Sequence, residues 1–183
     1  MPAAPDIRVR DARDDERAAV SDLTLRAYAE YGAAMTPSAW TALDGAVHAA
    51  LDSDAEMHRI VAECGGGLVG SVLLFPAAAD AYGDLTSRMR WPEVRLLAVP
   101  PEARGLGVGR VLMDECVRRA RAMGAAELGL HTSASMRAAI SLYRRMGFER
   151  APEFDFQPPG AELVEAYRLH LGAAAPTEDG ASG

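Results

Sequence analysis

The residues with the clearest chemical potential form one short run, Leu97-Ala-Val-Pro-Pro-Glu-Ala-Arg-Gly-Leu-Gly-Val-Gly-Arg110. An apolar strand enters a glycine-rich turn, and an amphipathic helix follows at once. Such a junction turns the backbone N–H groups of Gly105 to Arg110 outward from a helix N-terminus. There they can hold an anion, most naturally a phosphate or pyrophosphate. Three glycines at alternate positions, Gly105, Gly107 and Gly109, exceed what a turn alone needs and fit the close approach of a ligand. The spacing is G-x-G-x-G, not the G-x-G-x-x-G of a dinucleotide fold, and the strand before it is not the first in the chain. No Gly-Lys-Ser/Thr occurs, which excludes the nucleoside-triphosphate loop. Arg110 stands in the first helical turn, where a cation is unfavourable unless an anion lies near.

The elements that must position this turn follow from periodicity. Ile7 to Arg10 alternates and reads as a strand. Asp14 caps a helix with Val20, Leu23, Ala27, Tyr28 and Tyr31 on one face, ended by Gly32. Thr36-Pro37 opens a second helix, with Trp40, Leu43, Val47 and Leu51 aligned. His58 to Glu63 and Gly67 to Phe75 flank a glycine turn as a hairpin. Residues 76–90 show no period and read as a loop. Glu93 to Val99 is a strand with Pro92 at its edge. The helix after the glycine turn carries Val108, Val111, Leu112, Cys116, Ala120 and Met123 on one side, arginines in its last turn, and Gly124 at its close. Glu127 to His131 is the next strand. Ser133 or Ser135 caps a helix with Met136, Ala139, Ile140 and Tyr143 aligned, stopped by Gly147. Phe148 to Arg150 and Val164 to Leu171 are the final strands. Strands joined through a helix are expected to be parallel and hairpins antiparallel, giving a mixed α/β sheet with helices on both faces.

Composition narrows the class. The 183 residues suit one domain with a real core, here 1–171, followed by a tail from 172 to 183 expected to be disordered. Apolar residues are 49%, which fits a globular chain. No apolar run reaches the roughly 18 residues of a membrane span. Met1 to Asp6 lacks the basic region and apolar core of a signal peptide, so the expected location is cytoplasmic. Cys64 and Cys116 form no disulfide framework and read as small buried apolar residues. Net charge is −7, which disfavours nucleic acid as a partner. All 19 basic residues are arginine, and we draw no function from that usage alone.

Arg104-x-x-Gly107-x-Gly109 matches the Q/R-x-x-G-x-G/A signature of the GNAT superfamily, the acyl-CoA-dependent N-acetyltransferases. Glu93-Val-Arg-Leu-Leu-Ala-Val99 resembles the strand before that signature. Ala139-Ile-Ser-Leu-Tyr143-Arg-Arg-Met-Gly147-Phe148 resembles the family's closing A-x-x-L-Y-x-x-x-G-F, and the separation of the blocks is also that of the family. The resemblance covers essentially all of the chain before the tail. It implies a twisted, mostly antiparallel sheet of six to seven strands. It also implies acetyl-CoA as donor, direct transfer to a primary amine in a ternary complex, and no metal.

Within that resemblance, Arg104, Gly105, Leu106, Gly107, Val108, Gly109 and Arg110 would hold the pyrophosphate. Leu97, Ala98 and Val99 would run beside the pantetheine arm like an added strand. Val99 N–H is the expected oxyanion contact, since no side-chain donor is obvious there. The resemblance gives Tyr143 the role of protonating the departing thiolate. A phenol titrates near 10 and a thiol near 8.5, so that role depends on geometry. For the base that frees the amine, Glu93 and His131 both remain open. Many members have asparagine where this chain has Met136, so a contact to the pantetheine arm must come from elsewhere, with Ser135 and Ser141 as candidates.

Acceptor choice is expected from the two N-terminal helices, loop 76–90 and segment 153–163. These carry Tyr28, Tyr31, Trp40, Tyr82, Trp91, Phe154 and Phe156, with Glu30, Asp80 and Asp84 as acids suited to an amine on an apolar body. A small amine or amino-acid-like metabolite is the leading acceptor. A protein N-terminus or lysine and a non-catalytic acyl-CoA sensor are the alternatives. The final hairpin offers an edge for a homodimer.

Overall fold

Seven strands make one sheet in the order β1-β2-β3-β4-β5-β7-β6 among the residues that the computed structural model describes, 6–77 and 90–172. They are β1 (Arg8–Asp11), β2 (His58–Cys64), β3 (Gly67–Phe75), β4 (Glu93–Ala98), β5 (Glu127–Ser133), β6 (Glu149–Arg150) and β7 (Val164–His170). The helices are α1 (Arg17–Ala29), α2 (Pro37–Asp52), α3 (Val108–Ala122) and α4 (Arg137–Arg145). Tyr82, Asp80 and Asp84, and the tail from 173, lie outside the described residues.

The helices separate onto two faces. Ile60, Val72, Leu74, Val94, Leu128 and Leu130 pack under α3 and α4, whose Leu112, Met113, Cys116 and Tyr143 complete the main core. On the other face Leu23, Ala27 and Tyr28 of α1 and Val47 and Leu51 of α2 meet Ala98 and Met136. A buried hydroxyl pair, Thr24 and Ser71 at 3.0 Å, pins α1 to β3. Burial pushes the Cys116 thiol up to about 12, so it packs as an inert apolar group, whereas Cys64 is only half-buried.

Several expectations need correction. β1 and β2 are joined through helices yet pair antiparallel, because two helices in the crossover reverse the chain twice. A single helix, α3, joins β4 to β5, and that pair is parallel as expected. The sheet order of the two final strands, which the sequence left open, puts β7 between β5 and β6. Asp14 does not cap α1 directly. It opens a short 3-10 turn, Asp14–Glu16, in which the Glu16 carboxylate accepts the Arg13 N–H at 2.8 Å. Neither serine caps α4: Ser133 stays in β5, and Met136 holds the cap position without a side-chain bond. Thr36 does cap α2, accepting from Ala39 N–H.

Arg10 staples the first elements together. Its guanidinium donates to both Glu16 oxygens at 2.7 and 2.8 Å and to Glu63 of β2 at 2.8 Å. The bond from Arg10 holds the Glu16 carboxyl down at about 2, against an ordinary 4.5. A carboxylate so depressed stabilises the fold above the ordinary value, and that contribution fades as pH falls from about 4.5 toward 2. Arg10→Gln should therefore lower the melting temperature at pH 7 by more than at pH 2.5. Melts followed by circular dichroism check this, and a difference that stays constant with pH would refute it. No helix among the described residues is long and apolar enough to cross a membrane.

Candidate active site at the split between β4 and β5

β4 carries an irregularity that shapes everything around it. In the β3–β4 pairing Leu73 faces Arg95 and Ser71 faces Ala98, so Val72 alone spans both Leu96 and Leu97. That extra residue is a bulge. Leu96 takes a left-handed φ of 50°, the single such non-glycine among the described residues. The bulge also resets the side-chain alternation. Val94, Leu97 and Val99 pack toward α3, while Leu96 and Ala98 pack toward α1 and α2. β4 pairs with β5 at Glu93↔Gly129 and Val94↔Leu130, and the pairing stops there. β5 continues to Ser133 beside β7. The two parallel strands therefore part after Val94, leaving a cleft flanked by residues 95–99 on one side and 131–133 on the other.

The glycine turn closes one end of this cleft. Gly105 and Gly107 have φ of 77° and 84°, conformations that favour glycine whatever else is near. Gly107 is the N-cap of α3. A Cβ on Gly109 would lie 3.3 Å from Leu142, so this glycine serves the packing of α3 on α4. Gly70 of β3 is tighter still: a Cβ there would lie 2.6 Å from Val108 and 3.0 Å from Leu112. Its absence lets the first turn of α3 settle onto the sheet. Val108 is buried and Leu106 is exposed at the tip of the turn. The N–H groups of Gly105, Leu106, Gly107, Val108 and Gly109 find no acceptor among the described residues. Arg110 departs from expectation, since its N–H bonds to the Gly107 carbonyl at 3.0 Å. Its side chain is neutralised by Asp114 one turn on, at 2.9 Å. Arg104 is likewise held, by Glu30 at 2.8 Å and by the Val99 carbonyl at 3.2 Å.

At the apex of the cleft the two expected bases meet. Glu93 and Gly129 are paired, so Glu93, Arg95, Gly129 and His131 project to one face, the side of α1 and α2. His131 Nδ1 lies 2.6 Å from Glu93 Oε1, and the two side chains are 3% and 5% exposed. Arg95 donates to Glu93 Oε2 from Nε at 2.9 Å and from Nη2 at 2.6 Å, with its guanidinium 4.2 Å above the Phe75 ring. His131 Nε2 lies 3.1 Å from the Phe154 carbonyl oxygen. Phe154 is set in place by Asp155, which binds Arg150 at 2.7 Å through each oxygen and takes the Ala166 N–H at 2.8 Å. Trp91 stacks edge-on to Phe154 at 4.6 Å, and Phe156 meets His131 at 5.2 Å. Arg95 and the Phe154 carbonyl were not singled out from sequence. The two-residue spacing of Glu93 and Arg95 on a strand was the available signal.

Tyr143 belongs to the opposite face, buried among Cys116, Leu112 and Phe148. Burial raises its phenol well above the ordinary value, so it stays protonated. Tyr31 lies close enough to influence it and stands beside Glu30 and Arg104. Tyr31 also meets Tyr28 edge-on at 5.7 Å. Trp40 packs on Gly32, where an added Cβ would lie 3.1 Å from its ring. Met136 is buried beside Ala98 and receives the Thr132 hydroxyl on its sulfur. Of its expected substitutes, Ser141 is engaged by Arg145, and Ser135 by Ser133, which also binds Glu162. Among the described residues no His, Cys, Asp and Glu group is arranged to hold a metal.

Comparison with known proteins agrees with this geometry. Residues 20–148 match the family model of the Acetyltransferase (GNAT) family. The chain is similar to N-acetyltransferase family 8 member 3 of Rattus norvegicus, 33% identical over 94 residues, which are 51% of this chain and 39% of that protein. It is 33% identical over 103 residues to mycothiol acetyltransferase of Cellulomonas flavigena, 56% of this chain and 30% of the relative. It is 33% identical over 113 residues to IAA acetyltransferase of Azospirillum brasilense, 61% and 66% respectively. The chain thus spans less than half the length of the first two. Two solved structures share the fold. The ribosomal-protein-S18-alanine N-acetyltransferase of Escherichia coli aligns with TM-score 0.61 and 18% identity over 93% of this chain and 97% of that one. A Salmonella typhimurium protein solved with its cofactor acetyl-CoA aligns with TM-score 0.60 and 20% identity over 94% and 98%.

Proposed function

The chain belongs to the GNAT acetyltransferase family, and from that premise we propose that it moves an acetyl group from acetyl-CoA to a primary amine of a small molecule or amino-acid-like metabolite, directly, in a ternary complex. One observation carries the donor assignment. A cleft left by two parting parallel strands ends at five consecutive N–H groups at a helix N-terminus that have no acceptor among the described residues. Residues 105–109 would bind the pyrophosphate there. The bulged segment Leu97–Val99 would bond the amides of the pantetheine arm where β5 no longer does. Val99 N–H would meet the thioester oxygen as it gains charge.

Tyr143 and the Glu93–His131 pair project to opposite faces of the sheet. The acceptor would approach from the α1 and α2 side, and the sulfur would leave toward Tyr143. A phenol held protonated by burial is a poor acid but a steady hydrogen-bond donor to a thiolate. An enclosed acceptor site is supported by the roof of Trp91, Phe154 and Phe156 over His131. The names of two relatives, mycothiol acetyltransferase and IAA acetyltransferase, agree with a small acceptor.

Thiol release from acetyl-CoA over a panel of small amines tests the reading. Turnover should occur with at least one of them, and Tyr143→Phe should lower kcat by roughly 10- to 100-fold with acetyl-CoA affinity unchanged. Wild-type kcat in that variant would remove Tyr143 from the mechanism. Turnover on peptide amines alone would replace the acceptor. Tight acetyl-CoA binding with no turnover on any amine would make the chain a sensor.

A further inference from the structure

We infer that the groove between α4 and β7 is a second ligand site, built for a phosphate monoester of a small hydroxylated molecule and separate from the cleft between β4 and β5. The site goes beyond acetyl transfer and stands or falls without it.

The groove has a volume of about 450 Å³, within the range of small-molecule sites. Arg137, Ser141, Arg144 and Arg145 of α4 form one wall, and Glu165 and Tyr167 of β7 lie opposite. Positions i, i+4, i+7 and i+8 share one side of a helix. Leu142 occupies another side, since it is the residue that a Cβ on Gly109 of α3 would meet at 3.3 Å. In the sheet β7 follows β5 on the side away from β4. Strand β5 and the body of α4 therefore separate this groove from the cleft and its glycine turn.

The charge of the groove is out of keeping with the chain around it. The protein carries a net charge of −7, and Arg104, Arg110, Arg150 and Arg168 are each held by a carboxylate. Arg137, Arg144 and Arg145 form no ion pair among the described residues. The helix dipole accounts for Arg144 and Arg145, which stand in the last turn of α4. It does not account for Arg137, the first residue of α4, where a cation is unfavourable unless an anion lies near. Arg110 meets that condition in α3 with Asp114, one turn on. The residue one turn after Arg137 is the neutral Ser141.

The polar groups define which anion fits. Arg145 Nη1 donates to Ser141 Oγ at 2.6 Å, which leaves the serine O–H as a further donor. Guanidinium forks and a hydroxyl on one wall suit the several oxygens of a phosphate head. On the opposite wall Glu165 accepts the Tyr167 hydroxyl at 2.9 Å and lies 3.8 Å from Arg150 Nε. A carboxylate there repels a second acid and accepts from a hydroxyl. The two walls together select one doubly charged head on a neutral, hydroxyl-bearing body, and select against a dicarboxylate.

An NMR titration of the ¹⁵N-labelled chain tests the site, run with and without saturating acetyl-CoA so that the glycine turn is filled in one arm. The probes are glycerol phosphate and inorganic phosphate, with glycerol and succinate as controls. Glycerol phosphate should shift the signals of α4 and β7 with a Kd below about 1 mM, the same in both arms. Inorganic phosphate should bind more weakly, and the controls more weakly still. Changing Arg144→Gln and Arg145→Gln together should raise the Kd for glycerol phosphate at least about tenfold, because charge-assisted bonds are lost. Arg137→Gln should act in the same direction. Melting temperature should stay close to that of the wild type in both, which separates lost binding from lost folding. Glu165→Gln should let succinate bind. No saturable shift from either phosphate up to about 10 mM overturns the site. Shifts seen only without acetyl-CoA give the phosphate to the donor's cleft and overturn it as well. An unchanged Kd in the Arg144 and Arg145 double variant does the same. Succinate bound as tightly as glycerol phosphate by the wild type overturns the monoester assignment. The arginine variants decide the question whether or not acetyl-CoA itself binds.

Discussion

Gly107→Val should weaken acetyl-CoA binding by a hundredfold or more while leaving the chain folded. Gly107 is the N-cap of α3 at φ 84°, a region that costs a residue with a Cβ about 1–2 kcal/mol, and a β-branched one more. A Cβ at this position meets nothing within 4 Å, so crowding is not the cause. The backbone itself must relax toward negative φ, and the N–H groups of residues 105–109 then lose their common direction. Each hydrogen bond to a charged group contributes about 1.5–3 kcal/mol, so losing two accounts for the predicted drop. Calorimetry with acetyl-CoA measures it, and a Kd equal to that of the wild type would sink the assignment of the turn. Gly109→Ala is the informative companion. Its Cβ would press on Leu142 and disturb the packing of α3 on α4 instead of the turn.

Gly129→Ala should cost about 3 kcal/mol of stability, toward the upper end for overpacking a core. The added Cβ would lie 2.0 Å from Trp91 Nε1 and 2.5 Å from Cδ1. The indole is 5% exposed and packed edge-on against Phe154 at 4.6 Å, so any shift away from the new Cβ must disturb that contact. Its N–H is already buried with no acceptor among the described residues, which makes the site intolerant of further strain. For a chain of this size the melting temperature should fall by roughly 6–12 °C. A shift under about 2 °C would show that the indole is loosely held. Trp91→Leu in the same chain should recover part of the loss, because it removes the atoms in conflict.

Much of the site was legible in the sequence because it is local. The glycine turn, the start of α3 and its arginine-rich end are set by residues within one turn of each other. The anion that Arg110 needs in the first turn of α3 is Asp114, a partner also legible at i,i+4. What stayed hidden depends on register. Residues 93, 95, 97 and 99 read as one face of a regular strand, and the bulge at Leu96 divides them between two. Thirty-eight residues separate Glu93 from His131, and only the parallel pairing of β4 with β5 brings their side chains together. The insertion of β7 between β5 and β6 is equally non-local, and it carries the Phe154 turn over the site.

The ion pairs described above draw their fixed positive charge from arginine, and the 183 residues contain no lysine. That has a consequence for an active site holding a thioester. Acyl transfer needs a nitrogen with an available lone pair, and a guanidinium stays protonated and delocalised at any pH the fold tolerates. Arg95 at the apex and Arg104 at the mouth can therefore lie beside an activated acetyl group without competing for it. The arginines beside the cleft are cations suited to binding and orientation that, unlike a lysine amine, are not themselves acyl acceptors, so the fixed positive charge of such a site would not divert an acyl group from the molecule that enters.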